Sequence, residues 1–180
     1  MSQNTKRVRM FAGPNGSGKT TIKKSINSDL FGIYINPDDI ELSLKNNRFL
    51  DLNSYSVHSS QPDKIEFLQK AQKKGFRTYL YYVATEDPMI NILRVKNRVT
   101  LGGHSVPEDK IISRYHRSLD LLRDAVQFTN RAYIFDNSGR EHLWIAEITN
   151  GKELEMKASQ MPCWFKKALW DKLVNADNQS

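Results

Sequence analysis

A single cysteine, Cys163, stands in 180 residues, so an intrachain disulfide is excluded and packing alone must hold the fold. No apolar run approaches the ~18 residues that cross a bilayer, which argues against an integral membrane protein. Met1 to Arg9 carries charge but no apolar stretch, so no secretory signal is expected, and a reducing, cytoplasmic setting is predicted. Six prolines and nine glycines are ordinary punctuation rather than low complexity. Neither an internal repeat nor a linker-like stretch is visible. The four histidines, His58, His104, His116 and His142, lack metal-ligand spacing, so a zinc site is not expected.

What is present fits an ordinary globular chain, with 39% hydrophobic and 26% charged residues. The length predicts one domain over residues 1–180, long enough to bury a core without metals or disulfides. Lys and Arg number 27 against 20 Asp and Glu, a net charge of +7. That excess attracts polyanions in general and does not separate nucleic acid from a nucleotide triphosphate.

Strand and helix signals alternate along the chain. Residues 7–12 read as a strand, Lys19 to about Asn27 as a helix, and Gly32–Asn36 as a second short strand ended by Pro37. Asp38 to about Asn46 can be helical, whereas residues 47–60 carry no readable pattern. Ser60–Asp63 resembles a capping box opening a helix to Lys74, with Ile65, Leu68 and Ala71 on one face and Gly75 after its end. Thr78–Ala84 is almost wholly apolar or aromatic, as in a central strand covered on both faces. Asp87-Pro88 starts a further helix with Ile92, Val95 and Val99 as its buried stripe. Ser105–Glu108 suggests another capping box, opening a helix to about Phe128. A strand at 131–135 follows. Asn150-Gly151 then marks a hairpin between Leu143–Ile148 and Glu153–Lys157. Trp164–Val174 predicts a last amphipathic helix. Phe11, Phe76, Tyr79, Tyr81 and Trp164 are expected in the core rather than as base-stacking platforms. The alternation implies an α/β, three-layer fold with a mainly parallel sheet and helices on both faces. The α/β core would span 1–140, and a hairpin plus helix 141–180.

Gly13-Pro14-Asn15-Gly16-Ser17-Gly18-Lys19-Thr20 matches G-x-x-x-x-G-K-[ST] in full, between a predicted strand and a predicted helix. Glycines let backbone N–H groups turn inward onto phosphate oxygens. The helix start adds its dipole and unpaired donors. Lys19 supplies a point charge for the β- and γ-phosphates, and the Thr20 hydroxyl is placed to ligate Mg²⁺, with Thr21 following at the helix start. A nucleotide triphosphate and Mg²⁺ are therefore the expected ligands.

Asp38 and Asp39 follow the second predicted strand directly, on the sheet rim where the phosphate loop lies. A carboxylate there can take a proton from an acceptor hydroxyl, bind Mg²⁺ through water, or merely cap a helix. Asn91, Arg94 and Arg98 share one helix face by spacing, and Lys110, Arg114 and Arg117 share a face of the next helix. Between them Gly102, Gly103 and His104 form a glycine-hinged loop. Two basic faces around such a loop suit a lid over transferring phosphate, and they equally suit two solvated surfaces. Asp136, at the end of an apolar strand, has either a Mg²⁺-holding role or, the preferred reading, a structural or base-side one.

The segments 12–21, 35–40, 81–88, 94–107, 114–118 and 134–138 together resemble the zeta-toxin-like branch of small phosphate-loop kinases, over roughly residues 8–140. The resemblance implies phosphoryl transfer from ATP to a hydroxyl of a small molecule, with a UDP-N-acetyl amino sugar as the candidate acceptor and an antitoxin protein as a candidate partner. It implies Asp38 as the catalytic acid and Lys19 as the phosphate-loop lysine. Arg98 would be the lid arginine, with Arg114 and Arg117 as later lid arginines. Relatives carry a longer segment after the second strand. Here Arg48–Lys64 must cover it, and Tyr55-Ser56-Val57 stands without the glutamate of their motif. The acceptor side is accordingly expected to be open or shallow, with Tyr55 and His58 the nearest substitutes. Two rivals to the kinase reading stay open. One is a nucleotide-binding protein with weak or no transfer, and the other is a nucleic-acid-associated ATPase, which the absence of a nucleic-acid motif disfavours.

Overall fold

The computed structural model describes residues 6–27 and 64–173. The expected strand at Gly32–Asn36, the helix after Asp38, the 47–60 stretch with Tyr55 and His58, and the Ser60–Asp63 cap lie outside the described residues.

The described elements follow in order: β1 (Arg7–Ala12), α1 (Lys19–Lys24), α2 (Lys64–Lys73), β2 (Arg77–Ala84), α3 (Pro88–Thr100) and α4 (Glu108–Asp120). After them come α5 (Leu122–Gln127), β3 (Arg131–Asp136), β4 (Leu143–Thr149) and β5 (Glu153–Met156). The helix α6 (Cys163–Phe165) then runs into a π-helical turn over Lys166–Trp170. The strands form one sheet in the order β1-β2-β3-β4-β5. β1, β2 and β3 are parallel, and β4 and β5 add antiparallel. The fold is thus the mixed α/β arrangement expected, with the C-terminal hairpin extending the same sheet. The hairpin turn takes positive φ at both Asn150 (52°) and Gly151 (69°), the pair of angles a two-residue turn of this hand demands.

One sheet face carries the main core. Leu80 pairs with Ala132 and Ala132 with Ile148, placing small and branched apolar groups in a row. Leu122 and Val126 of α5 cover this row, with Trp164, Phe165 and Leu169 from the C-terminal helix. Each aliphatic side chain fully buried here contributes about 1.5–3 kcal/mol. The other face carries an aromatic ladder, Phe11 on Tyr81 and Tyr81 on Tyr133, with ring centroids 5.0 and 4.9 Å apart.

Four expectations need correction. The Ser105–Glu108 capping box does not form: Pro107 is the N-cap of α4, no side chain caps it, and Glu108 instead pairs with Lys96 at 2.7 Å. The helix expected to run unbroken to Phe128 is interrupted at Leu121, so α4 and α5 are separate: Leu122 and Val126 of α5 are buried in the core, and Leu119 near the end of α4 packs against it. β2 lies inside the sheet but alternates over most of its length: Thr78, Leu80 and Tyr82 are buried, Tyr79 and Tyr81 are half-buried with Phe11 on the ladder face, and only its end, Tyr82–Ala84, is buried without a break. Phe76 is likewise half-buried, and of the five aromatics assigned to the core only Trp164 is fully within it.

Candidate functional site: the phosphate loop and its two walls

Between β1 and α1 the chain turns through Gly13–Gly18 at the C-terminal edge of the parallel strands. Gly18 is the N-cap of α1 with φ 95°, a left-handed conformation that side chains rarely adopt. A Cβ there would also sit 2.1 Å from the Asn137 amide nitrogen, so neither the angle nor the space admits another residue. The first turn of α1 contains no acid, and Lys23 and Lys24 stand in its last turn, where they complement the helix dipole. Pro14 and Ser17 are buried, Gly13, Asn15 and Gly16 are half-buried, and Thr20 and Thr21 are exposed. Lys19 folds back over the loop, its Nζ donating to the carbonyls of Gly13 at 2.9 Å and Pro14 at 2.8 Å.

The end of β3 forms one wall. Asn137 donates from Nδ2 to the Ser17 carbonyl at 2.8 Å, while its own N–H bonds to the Ala84 carbonyl of β2 at 2.8 Å. Beside it, Asp136 is buried and accepts from the Ser138 N–H at 2.9 Å, the Ser138 hydroxyl at 2.8 Å and the Trp164 indole N–H at 2.7 Å. Both oxygens of this carboxylate therefore have donors from the chain, which favours the structural role over the Mg²⁺-holding one. Ser138 in turn accepts from the Glu86 N–H at 2.7 Å, and the Glu86 carboxylate accepts from the Cys163 N–H at 3.1 Å. The C-terminal helix is thereby tied to the loop that positions Asn137.

The turn from β2 into α3 forms the other wall. Asp87 caps α3 through the Met89 N–H at 2.7 Å, as the Asp87-Pro88 signal predicted. Asn91, grouped by spacing with Arg94 and Arg98, is instead fully buried, its Oδ1 accepting from the Thr85 hydroxyl. Tyr115 of α4 donates to the carbonyls of Thr85 at 2.6 Å and Glu86 at 3.1 Å, pinning α4 against this turn. Burial first, and then the negative charges of Glu86, Asp87 and Asp136, push the Tyr115 hydroxyl up to about 12.

The basic residues separate along the two helices. Arg94 is half-buried and reaches the Gly139 carbonyl, just beyond the Asn137 wall, at 3.4 Å. Arg98 is exposed and donates to the His104 carbonyl at 3.0 Å, while the Gly103 N–H bonds back to the Arg98 carbonyl at 2.9 Å. The Gly102–Gly103 loop is thus held to the end of α3. His104, Arg114 and Arg117 are exposed. Ile92, Val95, Val106 and Ile111 line an apolar groove between α3 and α4, whose surface offers little to an anion. Asp38 lies outside the described residues. Asn137, Thr85 and Tyr115 are contacts to which sequence reasoning gave no role in this region, and Asn91, expected on the basic face, is enclosed instead. The Asn after a strand-ending Asp was the one signal available for Asn137.

No protein-family model matches the chain. A solved complex of AvrRxo1-ORF1 and ORF2 with ATP overlays on 96% of this chain and 64% of its own, at TM-score 0.57 and 14% identity. The same complex with sulphate ions gives a TM-score of 0.52 at 14% identity, over 94% of this chain and 63% of its own. The chain therefore spans just under two thirds of the length of these structures, and what it shares with them is the fold. The PezAT chromosomal toxin-antitoxin system of Streptococcus pneumoniae matches at TM-score 0.45 and 16% identity, over 100% of this chain and 90% of its own. That similarity is too loose to carry a comparison of sites. No described helix is long and apolar enough to cross a membrane. An uncharacterized protein of Haemophilus influenzae is 30% identical in an alignment 126 positions long that covers 58% of this chain and 89% of the relative, and the chain belongs to the same family as that protein.

Proposed function

We propose that the protein is an ATP- and Mg²⁺-dependent phosphotransferase of the zeta-toxin-like kind, moving the γ-phosphate to a hydroxyl of a small molecule. The observation that carries this reading is the phosphate loop at the rim of parallel strands, with Lys19 lying across it and α1 starting at Gly18. In such a site the loop amides and Lys19 hold the phosphate chain and neutralise charge that develops on the transferring group. Thr20 is exposed at the end of the loop, and the described residues hold no cluster of metal-ligating acids or histidines. That donor set fits Mg²⁺ bound by one hydroxyl and the nucleotide phosphates, since this ion keeps most of its waters. When bound, Mg²⁺ would withdraw charge from the phosphate oxygens. Asp38 is the proposed base for the acceptor hydroxyl, Arg98 the proposed lid arginine, and His104, Arg94, Arg114 and Arg117 the remaining proposed lid residues.

The acceptor proposed is a UDP-amino sugar, and the partner proposed is an antitoxin protein. The two-component AvrRxo1-ORF1 and ORF2 complexes, which share the fold, support looking for such a partner. ATP turnover measured with and without UDP-sugars, and with and without nucleic acid, tests the reading. Stimulation by a sugar is the expected result. Binding without turnover would favour a reduced nucleotide-binding protein, and stimulation by nucleic acid an associated ATPase. Lys19→Ala is expected to weaken ATP binding or turnover about 100-fold, the weight of charge-assisted hydrogen bonds, while the folded spectrum is kept. Unchanged affinity and turnover would sink the assignment.

A further inference from the structure

Resting on the nucleotide-binding reading, we propose that Asn91 is a nucleotide-binding residue whose side-chain amide takes its hydrogen-bond partner from the terminal phosphate of ATP. Asn91 stands in the first turns of α3 and has no exposed surface. Its backbone packs directly on the tip of the phosphate loop: a Cβ built on Gly16 would lie 2.6 Å from the Asn91 carbonyl oxygen. The amide is also fixed in direction. Oδ1 accepts from the Thr85 hydroxyl at 2.5 Å, and the Thr85 carbonyl is held by Tyr115. With the oxygen committed to Thr85, the nitrogen points elsewhere, and among the described residues Nδ2 is buried without a partner.

A buried amide N–H left unpaired is costly, and an apolar side chain of the same size would avoid the cost. The same region holds two further buried polar atoms without a partner among the described residues, the Ser17 hydroxyl and Nη1 of Arg94, one turn along α3 from Asn91. The Asn91 and Arg94 groups are donors only, and the Ser17 hydroxyl can donate as well. A ligand that satisfies them together must be rich in acceptors and negative, which describes a phosphate group. The loop's own amides surround one phosphate. α3 stands outside the loop at Gly16, so the group it meets is the next one outward, the terminal phosphate that ATP has and ADP lacks.

The experiment compares ATP and ADP affinity by calorimetry, and free-chain stability by thermal melting, in wild type, Asn91→Leu and Asn91→Asp. Asn91→Leu removes the unpaired donor at similar volume, and Asn91→Asp keeps the oxygen that Thr85 needs. Both variants are expected to lose about tenfold or more in ATP affinity and to bind ADP within about twofold of wild type. Without ligand both should still melt cooperatively, at a somewhat lower temperature, since Asn91→Leu takes the acceptor from the buried Thr85 hydroxyl and Asn91→Asp buries a carboxylate. Equal ATP affinity in all three proteins would overturn the inference alone. An equal loss for ATP and ADP would overturn it in favour of a packing role. A wild-type chain that binds no ATP would overturn both this inference and the reading it rests on.

Discussion

The two walls of the phosphate loop contain similar residue types and treat them oppositely. On the β3 side, Asn137 gives its amide to Ser17, and Asp136 receives donors from Ser138 and Trp164. On the α3 side, Asn91 and Arg94 each keep a buried nitrogen without a partner among the described residues. A paired buried group contributes modestly and is expensive to orphan, whereas an unpaired one already costs stability in the free chain. The first wall therefore belongs to the fold, and the second is set up for something the fold does not supply.

The largest effect expected from breaking this contrast is at the paired wall. Asp136→Ala strips the acceptor from the Trp164 indole and from Ser138 together, and should cost about 3 kcal/mol in urea unfolding, since a buried donor is orphaned. A cost below about 1 kcal/mol would mean that the carboxylate is not structural, and would return it to the list of metal candidates. Asn137→Ala comes next. It leaves the Ser17 carbonyl without its donor, with an expected loss of about 2 kcal/mol in the free chain and weaker binding of ATP and ADP alike. If that variant discriminated between the two nucleotides as the Asn91 variants should, the distinction between the walls would collapse.

Tyr115→Phe is the mildest and sharpens the comparison from behind, because Tyr115 braces the turn that carries Asn91. Its removal should cost about 1 kcal/mol at neutral pH, the worth of the lost hydrogen bonds. The pH dependence has a definite sign. The folded pKa is raised from 10.0 to about 12, so the folded chain holds this proton more tightly than the unfolded one. The stability that it contributes is complete below pH 10 and is lost as the pH rises toward 12. Wild type should thus lose stability faster than the variant across that window. Parallel curves in alkaline denaturation would remove Tyr115 as the brace.

The sequence made much of the scaffold legible because its signals were local. The phosphate loop is a contiguous motif, Asp87-Pro88 caps α3 where expected, and Asn150-Gly151 turns the hairpin. The walls were harder to read for a physical reason. Helical spacing gave the direction of Asn91 around α3 and aligned it with Arg94 and Arg98, but spacing does not say which side of a helix another segment will press against. Here Gly16 presses on that turn, and a residue expected with the basic face is enclosed. The bond from Trp164 to Asp136 joins distant positions through a ring assigned only to packing, and nothing local announces its N–H as the partner of that acid. The failed cap at Ser105 shows the opposite limit, a local signal overridden when Glu108 finds Lys96 instead.

The sheet register also bears on the order in which the molecule can assemble. Asp136 lies beside Leu143, whereas Arg7 lies beside Arg77. The chain enclosed by the second pairing is about ten times longer, and closing it costs about 2 kcal/mol more in chain entropy. The antiparallel end of the sheet is therefore the cheaper nucleus, and the first strand is a late arrival. Since the phosphate loop hangs from that strand, a partly folded chain with its hairpin and core helices in place would still lack the turn that grips phosphate. Nucleotide in the refolding buffer would then act on the last step alone, drawing the nearly finished chain to completion without hastening its start.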